Sequence, residues 1–381
     1  MNLAHKILLY PNKSQEIFLN GCSGTNRFTW NWILDKFKNK SDDEKISIFD
    51  LKKEFNKNKE DETPWMYDYP KDCNQNAFRD FQTTLTRVKK KISKFPKFKS
   101  KHNSIQSFYI SNDKFKVTDN ILQLSKKVKI KMAEEIRFFG KMNGLRVVKE
   151  NNKWYACFSL EGDFKKDRID NGTIGIDLGI KTFCFDSNGN QYNLPSKLEK
   201  IDKRIRRKQR QISKSIKGSK NRNKKKVKLN KLYEKLKNTR KDFLHKLSTR
   251  ICSENQTIKI EDLNVSGMTK NHNLARKIQD SCFRLFREML KYKSELYDNQ
   301  FIVIDRFFAS TKTCSKCGNK KDMKLSDRTY ECSCGNIMDR DFNAALNIKN
   351  FIPVANGDFK PVNSLDLKSA GSRKYYLTLN T

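Results

Sequence analysis

Hydrophobic positions in this chain change their period three times, and each change marks a different architecture. The segment HKILLYPN reads as a strand that Pro11 ends. From there to about residue 94 the spacing is helical. FTWNWILDKF places aromatic and apolar side chains at helical intervals, and NAFRDFQTTLTRVKKKI is amphipathic with a basic end. KFPKFKSKHN breaks that pattern. Between about 106 and 163 the chain becomes short strands and tight turns: SFYIS, KFKV and ILQL around TDN, VKIKM, and LRVVKENNKWYACFSL with Asn151-Asn152 where a hairpin turn belongs. That spacing predicts a small β-barrel of the oligonucleotide-binding sort.

At Thr173 the texture changes again. TIGIDLGI is a nearly continuous apolar strand interrupted by one acid, and KTFCFDSNGNQYNL follows as a hairpin turning at Asn188-Gly189. Two basic helices are predicted over about 197–217 and 224–250, with Gly218 in the break. Ile201, Ile205, Ile212 and Ile216 mark the apolar stripe of the first; Leu229, Leu232, Leu236, Phe243 and Leu247 mark that of the second. QTIKIEDL and NQFIVIDRF are further buried strands, separated by a helix over about 275–297. A cysteine cluster and the helix FNAALNI complete a mixed α/β domain with a large helical insertion and a small metal module. Residues 351–381 carry Pro, Gly and Ser without periodicity and read as a loosely held tail.

Charge narrows the partner. Lys and Arg outnumber Asp and Glu by 80 to 43, a net charge of +37 spread through the chain. So much like charge repels itself unless a polyanion shares the surface, which points to nucleic acid. Between 197 and 250 there are 23 basic residues and four acids, an excess that favours phosphate tracking over mere solubility. A membrane partner is not expected: no apolar run approaches the roughly 20 residues of a span, and MNLAHKILLYPNKSQ lacks a signal-peptide core. The expected location is cytosolic.

Three acids stand in informative places. Asp177 interrupts an apolar strand, where an unpaired charge is expensive; a salt bridge, a strand-end position or a bound metal would each relieve it. Glu261 follows IKI at a strand end, with Asp262 beside it. Asp341 opens the last helix, where an acid alone reads as a cap, as Asp339 does. Together, in the order Asp, Glu, Asp on a first strand, a central strand and a final helix, they sit where an RNase H-like nuclease keeps its metal ligands. Two Mg²⁺ ions about 4 Å apart would activate water and stabilise the leaving oxygen of a phosphodiester.

Ten cysteines in a chain of this size without an export signal do not suggest disulfides. Cys22, Cys73, Cys157, Cys184, Cys252 and Cys282 are scattered and read as small core residues. Cys314 and Cys317 form a CxxCG pair, and Cys332 and Cys334 a shorter CxCG pair. Four thiolates close a tetrahedral zinc shell and leave no position for water, so this zinc is structural.

The succession GIDLGIKTF, KIEDLNVSGM, STKTCSKCG and CSCGNIMDRDFNAALNI resembles the split RuvC nuclease and zinc ribbon of TnpB proteins, transposon-encoded RNA-guided DNA endonucleases similar to the ancestors of type V CRISPR effectors. HKILLYPNKSQ, NRFTWNWIL and KFPKFKSK add weaker likeness, so the resemblance spans nearly the whole chain. It implies a multidomain α/β protein. A β-barrel wedge domain would occupy 1–12 and 104–170, a helical recognition domain 13–103, and the RuvC-like, RNase H-like nuclease 171–310 and 336–350 with its basic insertion at 197–250. The zinc ribbon would be 311–335 and the tail 351–381. Asp177, Glu261 and Asp341 would be the catalytic Mg²⁺ ligands, Asp341 being chosen over Asp339 because it immediately precedes the FNAA turn. The implied partners are a guide RNA, one protein monomer per guide, and a double-stranded DNA target in the prokaryotic cytosol or nucleoid. Base pairing would supply specificity, and the protein would sense a short flanking motif. Gln75, Asn76, Arg79 and Gln82 on the amphipathic helix are candidates to read it.

Other readings make different demands. A cut-and-paste transposase typically orders its acids Asp, Asp, Glu. A guide-directed repressor binds without cutting and carries degraded acids, whereas all three stand here. A miniature type V effector differs in its locus, not its chemistry. A eukaryotic relative would use KNRNKKKVK as a nuclear-localisation run, a signal that basic helices produce freely.

Overall fold

Strand β1 (Asn2–Tyr10) buries alternate residues, and Asn12 caps the helix that follows it. The structure, a computed structural model, describes residues 1–39, 47–102, 104–125, 127–263, 282–324 and 327–352. The start of the helix predicted from 275, the end of KIEDLNVSGM and nearly all of the predicted tail lie outside them. The chain divides into two units, Met1–Phe164 and Lys165–Thr381. No helix among the described residues is long and apolar enough to cross a membrane.

In the first unit, β1 leads into α1 (Lys13–Lys38), whose Asn12–Gln15 capping box satisfies its first free amides. Helices α2 (Ile48–Lys57), α3 (Lys59–Glu62) and α4 (Asp72–Lys89) follow. Trp30, Ile33, Leu34, Phe55, Phe78 and Phe81 form their common core, with the Trp30 and Phe81 rings 5.1 Å apart. Six more strands come next: β2 (Gln106–Ser111), β3 (Lys116–Thr118), β4 (Ile121–Ser125), β5 (Val128–Met132), β6 (Lys141–Glu150) and β7 (Lys153–Glu161). All pair antiparallel in the order β2-β6-β7-β1-β5-β4-β3. Asn151 and Asn152 both take positive φ, 48° and 62°, as the two-residue turn between β6 and β7 requires.

Among the described residues no ladder joins β3 back to β2, so the hydrogen-bonded sheet has two edges. It is nevertheless curled. In a flat sheet with strands ~4.8 Å apart, β7 and β3 would lie roughly 19 Å from each other. Yet the ring of Phe115, next to β3, is 6.0 Å from that of Phe158 on β7. The helices dock on this sheet through polar contacts: Asp72 accepts from the Ser111 amide at 2.7 Å, and Arg146 grips Asp80 with two bonds of 3.1 and 3.2 Å.

The second unit is built on β8 (Thr173–Leu178), β9 (Cys184–Asp186), β10 (Gln191–Tyr192), β11 (Thr257–Glu261) and β12 (Gln300–Ile304), in the order β10-β9-β8-β11-β12. β8, β11 and β12 are parallel, and β9 and β10 extend the sheet antiparallel. A parallel sheet is covered on both faces, which is why TIGIDL reads as a continuous apolar run. Asp186 belongs to the β9–β10 turn. Its carboxylate accepts from the Asn188 and Asn190 amides, the Asn190 side chain and the Tyr192 hydroxyl, so its charge has a structural use.

Helices α5 (Lys197–Ser213) and α6 (Lys220–Glu254) form a hairpin whose core includes Leu198, Ile201, Ile205 and Leu236. The expected boundaries need correction. α5 stops at Ser213 because Arg222 reaches back to the Ile212 and Ser215 carbonyls at 2.7 Å each, and Gly218 turns the chain with φ 85°. Ile216, assigned above to the apolar stripe, lies in that turn and is 82% exposed. α7 (Phe283–Tyr297) connects to β12, β13 (Thr329–Glu331) pairs with β14 (Ile337–Asp339), and α8 (Arg340–Asn350) ends the described fold.

One contact fixes α8 on the sheet. A Cβ on Gly175 would lie 2.2 Å from the Ala345 carbonyl oxygen and 2.4 Å from the Lys349 nitrogen, so helix backbone rests directly on strand backbone. Lys259, paired with Gly175 across the ladder, donates to the Lys349 and Phe351 carbonyls at 2.7 and 2.6 Å. A cation there offsets the negative end of the helix dipole. Gly175→Ala should destabilise this unit by about 2–3 kcal/mol through overpacking against backbone that cannot rotate away. Chemical denaturation of the full chain would measure it, and an unchanged midpoint would refute the contact.

Candidate active site and cysteine module

Alternation along the strands decides which side chains meet α8. Gly175 and Asp177 share one face of β8, and Lys259 and Glu261 share one face of β11. Ile260 pairs with Ile176, so Asp177 and Glu261 are the next residues along their parallel strands. The C-terminal half of α8 covers Gly175 and Lys259, which brings its first turn, with Asp341, over the acids. Phe342 confirms that direction: its ring lies 6.0 Å from that of Phe185, the partner of Asp177 on β9.

The result is electrostatically costly. Asp177 is only 7% exposed. Burial, then the charges of Glu261 and Asp341, push its carboxyl well above the usual carboxylate range, against the smaller pull of Arg340 and the Leu178 amide. Burial also raises Glu261, while a hydrogen bond from the Ser310 hydroxyl to its Oε1 lowers it. Asp341 accepts two bonds from Arg340 at 3.2 Å, and Arg328 lies 4.0 Å away.

The neighbouring acids are excluded by their partners. Arg287 and Arg306 both bind the Asp262 carboxylate and hold it below its ordinary pKa, which leaves Glu261 as the acid facing Asp177. Asp339 is the N-cap of α8 and accepts from the amides of Asp341 and Phe342 at 2.8 and 3.2 Å. The capping role and the cluster role thus fall on different residues of DRD. No choice of one oxygen from each of the three carboxylates brings all three within 4.8 Å of one another, whereas the four cysteine sulfurs lie that close.

Those sulfurs form two knuckles. Cys314 and Cys334 are 3.7 Å apart and Cys317 and Cys332 3.5 Å, far beyond the roughly 2.05 Å of a disulfide. Metal–sulfur bonds of ~2.3 Å in a tetrahedron give sulfur–sulfur edges of about 3.8 Å. The first knuckle closes with Gly318 N to Cys314 O at 2.9 Å and Cys314 N to Asn319 O at 2.8 Å. The second is one residue shorter and closes the same way, with Gly335 N to Cys332 O at 3.0 Å and Cys332 N to Asn336 O at 2.9 Å. Gly318 and Gly335 take φ of 79° and 80°, where a side chain would be strained. Burial would raise the Cys314 thiol, but the Cys317 and Lys316 amides and the Asn336 side chain outweigh it and draw the thiol down to about 6.

Sequence reasoning missed the residues that join the two centres. Asn343 and Asn347, one turn apart on α8, both donate to the Thr313 carbonyl at 2.7 Å, and Asn347 also reaches the Ser310 carbonyl at 2.7 Å. Asn343 accepts from the Ser315 amide at 2.9 Å. Two buried asparagines four apart in a helix of good formers were the available signal.

In the first unit, Gln75, Asn76, Arg79 and Gln82 line one cleft of about 450 Å³ with Lys52, Asp72, Tyr109 and Ser111. Asn76 is 7% exposed, and its amide nitrogen has no hydrogen-bond partner among the described residues.

Family models described as "Probable transposase", "Cas12f1-like, TNB domain" and "Helix-turn-helix domain" match residues 148–272, 283–348 and 1–41. TnpB-like protein L79 of Acanthamoeba polyphaga mimivirus is 33% identical over 199 residues, 46% of this chain and 36% of its own. A Streptomyces pristinaespiralis protein named "Putative RNA-guided DNA endonuclease" is 34% identical over 279 residues, 72% of this chain and 69% of its own. The chain belongs to the TnpB family. A cryo-EM structure of a Cas12f1–sgRNA–target DNA complex shares the fold of this TnpB chain, with a TM-score of 0.50 at 15% identity, covering 92% of this chain and 99% of that one. The described residues matched as helix-turn-helix fold here as β1 and the single long helix α1.

The raised Asp177 gives this TnpB chain a pH signature. A carboxyl whose folded pKa lies above its unfolded value lends stability that is complete below the unfolded pKa and is lost as pH rises through the folded one. Above its unfolded pKa Asp177 therefore opposes folding. In EDTA, Asp177→Asn should stabilise the chain at neutral pH by ~1 kcal/mol or more, with the gap closing as pH falls through the folded pKa. Thermal unfolding across that range measures it; equal midpoints at every pH would contradict the clustering.

Proposed function

We propose that this chain is an RNA-guided DNA endonuclease that makes double-strand breaks in guide-complementary DNA beside a short flanking motif, by Mg²⁺-dependent phosphodiester hydrolysis. The observation that carries the reading is the meeting of buried Asp177 with Glu261 and Asp341, acids from distant segments whose charges add to the burial that makes Asp177 costly to ionise. The relatives named as RNA-guided DNA endonucleases support the guided part.

The donor set fits Mg²⁺. Three carboxylates supply hard oxygens, and a cation would remove the repulsion that pushes Asp177 upward. When bound, Mg²⁺ lowers the pKa of water and neutralises charge developing on the phosphate. Asp177, Glu261 and Asp341 would hold it, at one site that serves both DNA strands in turn. Arg287 and Arg306 keep Asp262 out of that set, and Asp339 holds the helix start that presents Asp341. The exposed basic faces of α5 and α6 would lie along guide RNA or the RNA–DNA heteroduplex, read through its backbone shape. Gln75, Asn76, Arg79 and Gln82 carry the donors and acceptors that match base edges, and their cleft would read the flanking motif.

The cysteine module fits structural Zn²⁺ by its sulfur spacing and its four soft ligands. Purified chain should carry one zinc, measured by elemental emission. Cys334→Ser should lose it and lower the unfolding midpoint, and a chain that folds stably without zinc would remove this assignment.

The function itself is tested by purifying the protein with RNA from its own locus and adding plasmid that carries a guide-matched target beside randomised flanks. Double-strand cleavage that requires RNA, Mg²⁺ and Asp177, with at least a ~10³-fold loss in Asp177→Ala, is the expected outcome. RNA-dependent binding without a cut would replace the nuclease with a guided repressor.

A further inference from the structure

The loop Ser310–Ser315 touches Glu261, the helix that carries Asp341 and the sulfur cluster. Ser310 is 3% exposed, and its hydroxyl donates to Glu261 at the end of β11. Its carbonyl accepts from Asn347, and the Thr313 carbonyl accepts from both Asn343 and Asn347 on α8, the helix that carries Asp341. The next residue, Cys314, is 2% exposed and belongs to the sulfur cluster, where Asn336 donates to its Sγ at 3.4 Å. Within the loop, the Lys312 and Thr313 amides and the Thr313 hydroxyl all bond the Ala309 carbonyl, so it forms a tight turn. Little of this loop can move independently of either centre.

We infer that Ser310 is a positioning residue for the carboxylate site, and that through it the closed cysteine module fixes how Glu261 presents its carboxylate. The inference rests on the endonuclease reading. Glu261 is the last residue of β11, paired with Ile304 on β12, and its side chain has more rotatable bonds than that of either aspartate. Asp177 is held within a ladder, and Asp341 by the first turn of α8 and Arg340. A hydrogen bond to Oε1 from a hydroxyl whose backbone is itself clamped selects one orientation of Glu261 and leaves its other oxygen for a cation. Both anchors of that hydroxyl, the asparagine clamp and the Cys314 knuckle, adjoin α8. Displacement of the knuckle would therefore move Glu261 and the Asp341 helix together.

The test uses the full-length, zinc-loaded chain and Mn²⁺ as the probe ion, with Asp177→Ala as the blank that removes ions held elsewhere. Ser310→Ala should raise the Mn²⁺ concentration at half-saturation about tenfold, the worth of one hydrogen bond to a charged group. Ser310→Thr, which restores the hydroxyl, should bind as the unsubstituted chain does. Zinc content and unfolding midpoint should stay unchanged in both. In guided cleavage, Ser310→Ala should need correspondingly more Mg²⁺ yet approach the normal rate at saturation. Unchanged or tighter Mn²⁺ binding in Ser310→Ala would overturn the inference. So would equal losses in Ala and Thr, or losses that follow zinc release or a lowered midpoint. If no form cleaves DNA but Ser310→Ala still weakens Asp177-dependent Mn²⁺ binding, the endonuclease reading fails and the positioning role stands.

Discussion

Holding three carboxylates together at the end of an apolar sheet is unfavourable, and much of the second unit is arranged to enforce it. Asp177 loses water and gains like-charged neighbours, and backbone packing holds it there with only partial relief from Arg340. Gly175 lets α8 rest on β8 without intervening side chains, and Lys259 fixes the far end of that helix. The direction of α8 is then set, and Asp341 must face Asp177. At the other strand end, Arg287 and Arg306 tie down Asp262, so the acid that turns inward is Glu261. Stability spent in this way is common where a site must bind a cation, because the unfavourable field becomes the binding energy.

The same constraint explains the contrast between the acids and the rest of the chain. A net charge of +37 describes a surface rich in cations, yet Asp177 at the centre of this cluster is buried, with Glu261 and Asp341 half-buried beside it. Among the described residues, positive charge concentrates on the α5–α6 hairpin, whose apolar stripe packs inward and leaves its lysines and arginines outside. Under the proposed function, attraction of a nucleic acid and hydrolysis of its backbone make opposite demands on side chains, and they would fall on different elements of the fold.

Much of this was legible in the sequence, for identifiable reasons. The strands of the second unit announced themselves because parallel strands are apolar on both faces, and an acid inside such a run is conspicuous. Asp177 and Glu261 were visible on that ground, and Asp341 through its place before FNAALNI. The antiparallel strands of the first unit followed from alternation and from Asn151-Asn152. What could not be read were contacts whose acceptors are backbone carbonyls, because a carbonyl has no letter. Lys259, Asn343 and Asn347 act on such acceptors, and Arg222 ends α5 by the same means. Ile216 was misassigned for that reason: periodicity continued past the point where Arg222 and Gly218 stop the helix. The edges of the first sheet were likewise hidden, since alternation gives strands but not whether the first meets the last.

The shortened second knuckle makes a related point about spacing. Cys332 and Cys334 depart from the two-residue gap of Cys314 and Cys317, and a pattern rule alone counts that against a matched pair. Geometry weighs it differently. What a knuckle must do is turn the chain so that both sulfurs face one point, and the turn is closed by an amide–carbonyl bond across a glycine of positive φ. Both knuckles have that bond and that glycine, so the second closes although it is one residue shorter. The difference lies between the two cysteines and costs no sulfur, and the β13–β14 pairing carries the pair to its place. Sulfur separations of 3.5 and 3.7 Å are therefore reached from two loops of different length. Ligand spacing in sequence is a proxy for a turn, and here the turn survives the change in spacing.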